Sequence, residues 1–104
     1  VCLFPFSDGS QSKKRPAVVI SPLDFNQRKE DLIILAITSK VEKLLPFEAK
    51  LEDWDDAGLF KESAFKSSIF TISKNKIHMK LGLTSKRDKI RLIKMINSIV
   101  TTND

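Results

Sequence analysis

Cysteine occurs once in the 104 residues, as Cys2, so no internal disulfide framework can form, and a reducing cytoplasm is the simplest compartment. No apolar run approaches the roughly 18 residues of a membrane-spanning helix, and no secretory signal pattern opens the chain. Repeats, low-complexity tracts and dividing linkers are also absent. The expectation is one soluble domain covering residues 1–104, with a modest core whose boundary a partner subunit would help to cover. There is no starting Met, and the chain begins inside the apolar run VCLFPF, so a few residues are expected to precede Val1.

What is abundant is positive charge. Eighteen Lys and Arg stand against 13 Asp and Glu, a formal net charge of +5, which favours encounter with polyanions without naming one. The densest knot is SQSKKRPAVVIS (10–21), where Lys13, Lys14 and Arg15 abut Pro16 and run into a β-branched segment.

VCLFPF and PAVVIS read as two strands, and the turn chemistry of SDGSQSKKR predicts a long exposed loop from Ser7 to Lys14. Pro22 ends the second strand, and 21–31 has room for one helical turn. DLIILAITSK (31–40) is a near-continuous apolar run, as in a central strand buried on both faces, with Thr38 where it surfaces. PFEAKLED (46–53) alternates like a half-exposed strand, WDDAGL turns, SAFKSSIFTIS (63–73) is a further strand and KLGL a short one. TSKRDKIRLIKMINSIV (84–100) is predicted to be a helix capped by Ser85, with Asp88 as its capping-box acid. Its apolar stripe is Ile90, Ile93, Ile96 or Asn97, and Val100. The fold class is therefore mainly β with a C-terminal helix, a bent antiparallel sheet or small barrel.

LFPFSDGSQSKKRPAVVIS, then DLIILAITSK, then LEDWDDAGLFKESAFKSSIFTIS, resembles the PemK/MazF/Kid toxins of bacterial toxin–antitoxin pairs over nearly the whole chain. The order and spacing of Phe4-Pro5-Phe6, Asp8, KKRPAVVIS, AITS and DAGL carry the likeness. The Gly-Asp that usually opens strand one is absent. The resemblance implies an SH3-like barrel, a homodimer, and an endoribonuclease that cuts single-stranded RNA at short sequences without a metal. It also implies an antitoxin partner with a disordered, acidic tail that covers the anion site, a role the net positive charge suits.

Cleaving RNA through its own 2′-hydroxyl needs help for that proton, charge to stabilise a phosphorane, and a proton for the departing 5′-oxygen. Many ribonucleases use two histidines; this chain has only His78, read as a surface or edge-strand residue. Glu52, Asp53, Asp55 and Asp56 crowd around Trp54 with no Cys or His at ligand spacing, which reads as a solvated turn. No metal or cofactor is expected. Cys2 reads as a packed strand residue. Arg15 offers a planar fork that matches two phosphate oxygens, and Thr38 offers a hydroxyl if strands two and three are neighbours. By resemblance, these two positions match the arginine and threonine on which cleavage depends in the family. Arginine's high pKa leaves the proton acceptor open.

Ser12, Lys13, Lys14, Lys40 and Lys66 are the expected RNA-backbone contacts, salt-sensitive and blind to sequence. Base choice must come from stacking and hydrogen bonds elsewhere; Phe6 or Phe65 could stack, although packing is the plainer role for either. Some relatives carry an arginine and an acid where this chain has Phe65, Lys66 and Ser67, so a cut-site preference does not carry over. The basic residues of the C-terminal helix read as a solvated face before a docking surface. The rival readings are a non-catalytic barrel toxin that inhibits DNA gyrase and a relative that binds RNA without cutting it.

Overall fold

Strand β1 (Cys2–Asp8) and strand β2 (Gln11–Val19) form an antiparallel hairpin whose pairing runs from Cys2–Ala17 to Asp8–Gln11. The geometry comes from a computed structural model that describes residues 1–8 and 11–103, the side chains of Ser7, Asp8, Gln11 and Ser12 excepted. The long loop expected from Ser7 to Lys14 is thus replaced by ladder: Phe6 pairs with Lys13 and Pro5 with Lys14. Lys13 and Lys14, which suggest a loop, are exposed on this strand, since the ladder is made by the backbone.

Helix α1 (Leu23–Arg28) is the single short helical segment anticipated after Pro22; it buries no residue. Strand β3 (Asp31–Thr38) follows, then the two-residue β4 (Ala49–Lys50), β5 (Ala64–Ser73), a 3₁₀ turn at Lys74–Lys76, β6 (Met79–Lys80) and the long helix α2 (Lys86–Ile99). The strand expected over 46–53 shrinks to β4 because Pro46 cannot donate to a ladder and Phe47 sits at φ 65°, a left-handed conformation that breaks extension. The short strand expected at KLGL falls instead at Met79–Lys80.

The six strands form one antiparallel sheet in the order β4-β5-β3-β2-β1-β6. It stays open: the edge strands β4 and β6 are two residues each and do not pair with one another among the described residues, so the expected closed barrel is not formed. The sheet nevertheless curls. Phe6 on β1 and Phe70 on β5 meet edge to face with ring centroids 5.6 Å apart. Three flat strand spacings would hold those strands about 14 Å apart.

Alternation divides the apolar residues between the two faces. Val18, Leu35, Ile37 and Phe65 face Leu51, Leu92 and Met95, so one side of the sheet packs on α2 and the 51–59 turn. Cys2, Phe4, Ala17, Leu32 and Ile34 form a second cluster on the opposite, concave side, with Phe6, Val19 and Ile72 against it. Each fully buried Phe, Ile or Leu contributes roughly 1.5–3 kcal/mol by leaving water. Of the stripe expected of it, helix α2 packs only Ile96 against the core. It buries Asp88, Leu92 and Met95, while Ile90, Ile93 and Val100 are exposed.

That choice is decided by a polar anchor. Ser85 caps α2 by accepting from the Asp88 N–H, as the capping box requires, but the Asp88 carboxyl does not reach back to the cap. It is fully buried and accepts instead from the backbone N–H groups of Glu52 and Asp53, at 3.0 and 2.8 Å. Turning Asp88 inward fixes the rotation of the helix about its axis, and Leu92 and Met95, at helical spacing from it, go in with it.

Candidate active site

In the β2–β3 register Ala17 pairs with Ala36 and Val19 with Ile34, and Arg15 and Thr38 each lie two residues beyond the Ala17–Ala36 pair, on the same side of the sheet by alternation. Both line a cleft of about 610 Å³, the guanidinium exposed and the threonine half-buried. Pro16 holds the backbone extended at Arg15, which stands mid-strand on β2 opposite Phe4 of β1, while Thr38 is the last residue of β3. The two elements that place them share a hydrogen-bonded ladder, which makes the pair a property of the sheet.

The Thr38 hydroxyl is oriented. Its oxygen accepts from the Lys40 backbone N–H at 3.2 Å, and its O–H is a donor at the cleft lining. Lys40 joins the lining from the turn after β3, and Lys66 from β5. Lys66 owes its place to an irregularity. The β3–β5 register steps from Leu35–Ile69 to Ile37–Phe65, so residues 66–68 of β5 stand against Ala36 alone. A bulge of this kind re-aims side chains at a sheet edge or site, and here both Lys66 and Ser68 enter the lining.

The cleft holds further residues that pattern reading did not single out: Lys61, Phe60, Ser39 and Ser63. Four cations, four hydroxyl side chains and three phenylalanines line it, and among the described residues no carboxylate does. A polar turn such as LFKES carries a usable signal for Phe60, since an isolated aromatic there has no period-2 or helical partner to bury it.

Other expected residues lie elsewhere. Lys13 and Lys14 are exposed on β2 outside the cleft lining, and the Lys14 Nζ is 3.2 Å from the His78 Nε2. The Ser12 side chain lies outside the described residues. His78 is exposed, just before edge strand β6, its backbone N–H donating to the Leu3 carbonyl. Phe65 is fully buried and cannot stack on a ligand, whereas Phe6 is half-buried in the cleft wall.

The acidic turn has a different task. Asp53 accepts two hydrogen bonds from Arg87, both 2.7 Å, and one from Ser85 at 2.6 Å. These donors hold its carboxyl well below the usual carboxylate range, at about 2, with the Arg87 hydrogen bond the largest cause and the Ser85 bond next. Arg87 is correspondingly pushed further up by Asp53. Arg91 adds an ion pair with Glu52 at 3.1 Å. Among the described residues no cluster of His, Cys, Asp and Glu is arranged to hold a metal ion.

Residues 1–100 match the PemK-like, MazF-like toxins of type II toxin–antitoxin systems. No curated protein matches the chain. Solved structures share the fold. An endoribonuclease in complex with its cognate antitoxin from a mycobacterial species aligns at 13% identity over 93% of this chain and 88% of its own, with a TM-score of 0.74. The Mycobacterium tuberculosis toxin MazF-mt6 aligns at 16% identity over 94% of each chain, also at 0.74. A further Mtb toxin aligns at 17% identity over 83% of this chain and 92% of its own, at 0.71. At such identities the likeness carries the fold alone.

Proposed function

The chain belongs to the PemK-like, MazF-like toxins of type II toxin–antitoxin systems, and from that premise we propose that it is an endoribonuclease that cuts single-stranded RNA without a metal ion. The observation that supports this reading is the convergence of Arg15 and Thr38 on one cationic cleft. As the 2′-hydroxyl gives up its proton to water its oxygen attacks the adjacent phosphorus, the bond from phosphorus to the 5′-oxygen breaks with that oxygen taking up a proton, and the products are a cyclic phosphate and a 5′-hydroxyl. Arg15 donates to two phosphorane oxygens and can pass a proton to the departing oxygen; Thr38 donates to the same phosphate and positions it. Lys40 and Lys66 steer the flanking backbone.

The partners follow from the same surface. A short acidic antitoxin would cover the cations of the cleft, and the exposed Ile90, Ile93 and Val100 of α2 support a second copy of this chain as a homodimer. Among the described residues no helix is long and apolar enough to cross a membrane, in keeping with action in the cytoplasm.

Incubating the chain with single-stranded RNA in EDTA tests the reading. New 5′-hydroxyl ends, lost in Arg15→Ala, support it. RNA that shifts in a gel and stays intact would leave a binding protein instead.

A further inference from the structure

Phe60 is the most exposed of the large apolar side chains, at 89%, and it stands on the lining of the cleft beside Lys61. A phenylalanine left in water forgoes roughly 1.5–3 kcal/mol of burial. Scattered single cases need no explanation, but this ring is presented. Gly58 turns at φ +85° against the Leu81 carbonyl, where a Cβ would collide. The Leu59 N–H donates to the Trp54 carbonyl at 3.1 Å, and Leu59 itself is buried. On the other side, the Ser63 hydroxyl donates to the Lys61 carbonyl at 2.9 Å. The backbone is held on both flanks while the ring projects. Four residues further on, Ala64 pairs with Thr38, so the segment leads directly to the proposed phosphate site.

We propose that Phe60 is a stacking platform for an unpaired nucleobase next to the phosphate held by Arg15 and Thr38, and so a determinant of where this chain engages RNA. The inference rests on the ribonuclease reading above and adds the residue that reads a base. The shape of the site favours a base over an apolar peptide side chain. A ring this exposed offers a flat face and no enclosing pocket, and flat π-systems gain most from such a face. Lys61 and Lys66 supply the charge that the adjoining phosphates require.

The test uses the whole chain. A cut site is mapped with the wild type, and a labelled single-stranded dodecamer spanning it is made with 2′-deoxyribose at the cut nucleotide so that it binds uncut. Binding is measured by anisotropy for wild type, Phe60→Ala, Phe60→Leu and Phe60→Trp, and for probes made abasic at each position in turn. Phe60→Ala should bind about ten- to a hundredfold more weakly, with its salt slope unchanged. Phe60→Trp should restore affinity, and Phe60→Leu should not. The loss should vanish against the probe abasic at the stacked position and persist against the others, a coupling that a merely structural role would not produce. Equal affinity of Phe60→Ala and wild type overturns the proposal, as does a loss that is the same for every abasic probe. A Phe60→Ala chain that loses affinity only for a leucine-bearing acidic peptide overturns it in favour of a protein partner. A wild type that neither cuts nor binds RNA removes the ribonuclease reading and the stacking role together, whereas a wild type that cuts, with Phe60→Ala unaltered, removes the stacking role alone.

Discussion

The junction between α2 and the 52–59 turn, and the cleft lined by Arg15 and Thr38, handle charge in opposite ways. At the junction every acid with a structural task has its donors: Asp88 has two backbone N–H groups, Asp53 has Arg87 and Ser85, and Glu52 has Arg91. In the cleft, Arg15, Lys40, Lys61 and Lys66 gather with hydroxyls and no carboxylate among the described residues. Tertiary structure thus gathers acids with their donors into one region that holds the fold and cations with hydroxyls into another suited to an anion.

Breaking each side separately should give separable effects. The largest is expected in the cleft: Arg15→Ala should lower RNA cleavage by about 10²–10³-fold while leaving the thermal midpoint within a degree or two, because the side chain is exposed. A comparable loss of stability would place Arg15 with the junction instead. Next comes Asp88→Ala, which strands two buried N–H groups and should cost about 2–4 kcal/mol in urea unfolding. Gly58→Ala should cost about 1–3 kcal/mol through its left-handed φ and the Leu81 carbonyl, and should also weaken RNA binding by disturbing the segment that carries Phe60.

Two smaller effects sharpen the contrast. The lowered Asp53 pKa means that its pairing stabilises the fold fully above the ordinary value of 3.8 and progressively less as pH falls toward 2. The difference in thermal midpoint between wild type and Arg87→Ala should therefore be constant from pH 7 to about 4 and close below that. A difference still undiminished at pH 2 would contradict the pairing. The smallest is electrostatic: Lys66→Ala should reduce the salt slope of single-stranded RNA binding by about 0.7, whereas Arg91→Ala, at the junction, should leave it unchanged.

Much of the fold was legible because it is written in local pattern. The apolar run 31–38, the strand near 63–73 and the capped helix after Ser85 appear where periodicity and capping chemistry put them. The misses share a cause: a local preference overruled by a distant partner. Gln11–Lys14 looks like a loop but pairs along β1, and the Ile90, Ile93 and Val100 stripe yields to Leu92 and Met95 because Asp88 is pulled inward by a turn more than thirty residues earlier. Of the site, Arg15 and Thr38 could be named from chemistry and resemblance. Phe60 and Lys61 could not be assigned to the same cleft, since only the curl of the sheet and the bulge at 66–68 bring those surfaces together.

By itself the sequence determined the class of chain: mostly β, basic, with an arginine and a threonine on consecutive strands. Which cations would face one another, which side of α2 would be buried and which aromatic ring would be left in water were decided only by tertiary structure. Strand register, sheet curvature and a buried carboxyl's demand for donors act between residues far apart in the chain, and no local pattern encodes them.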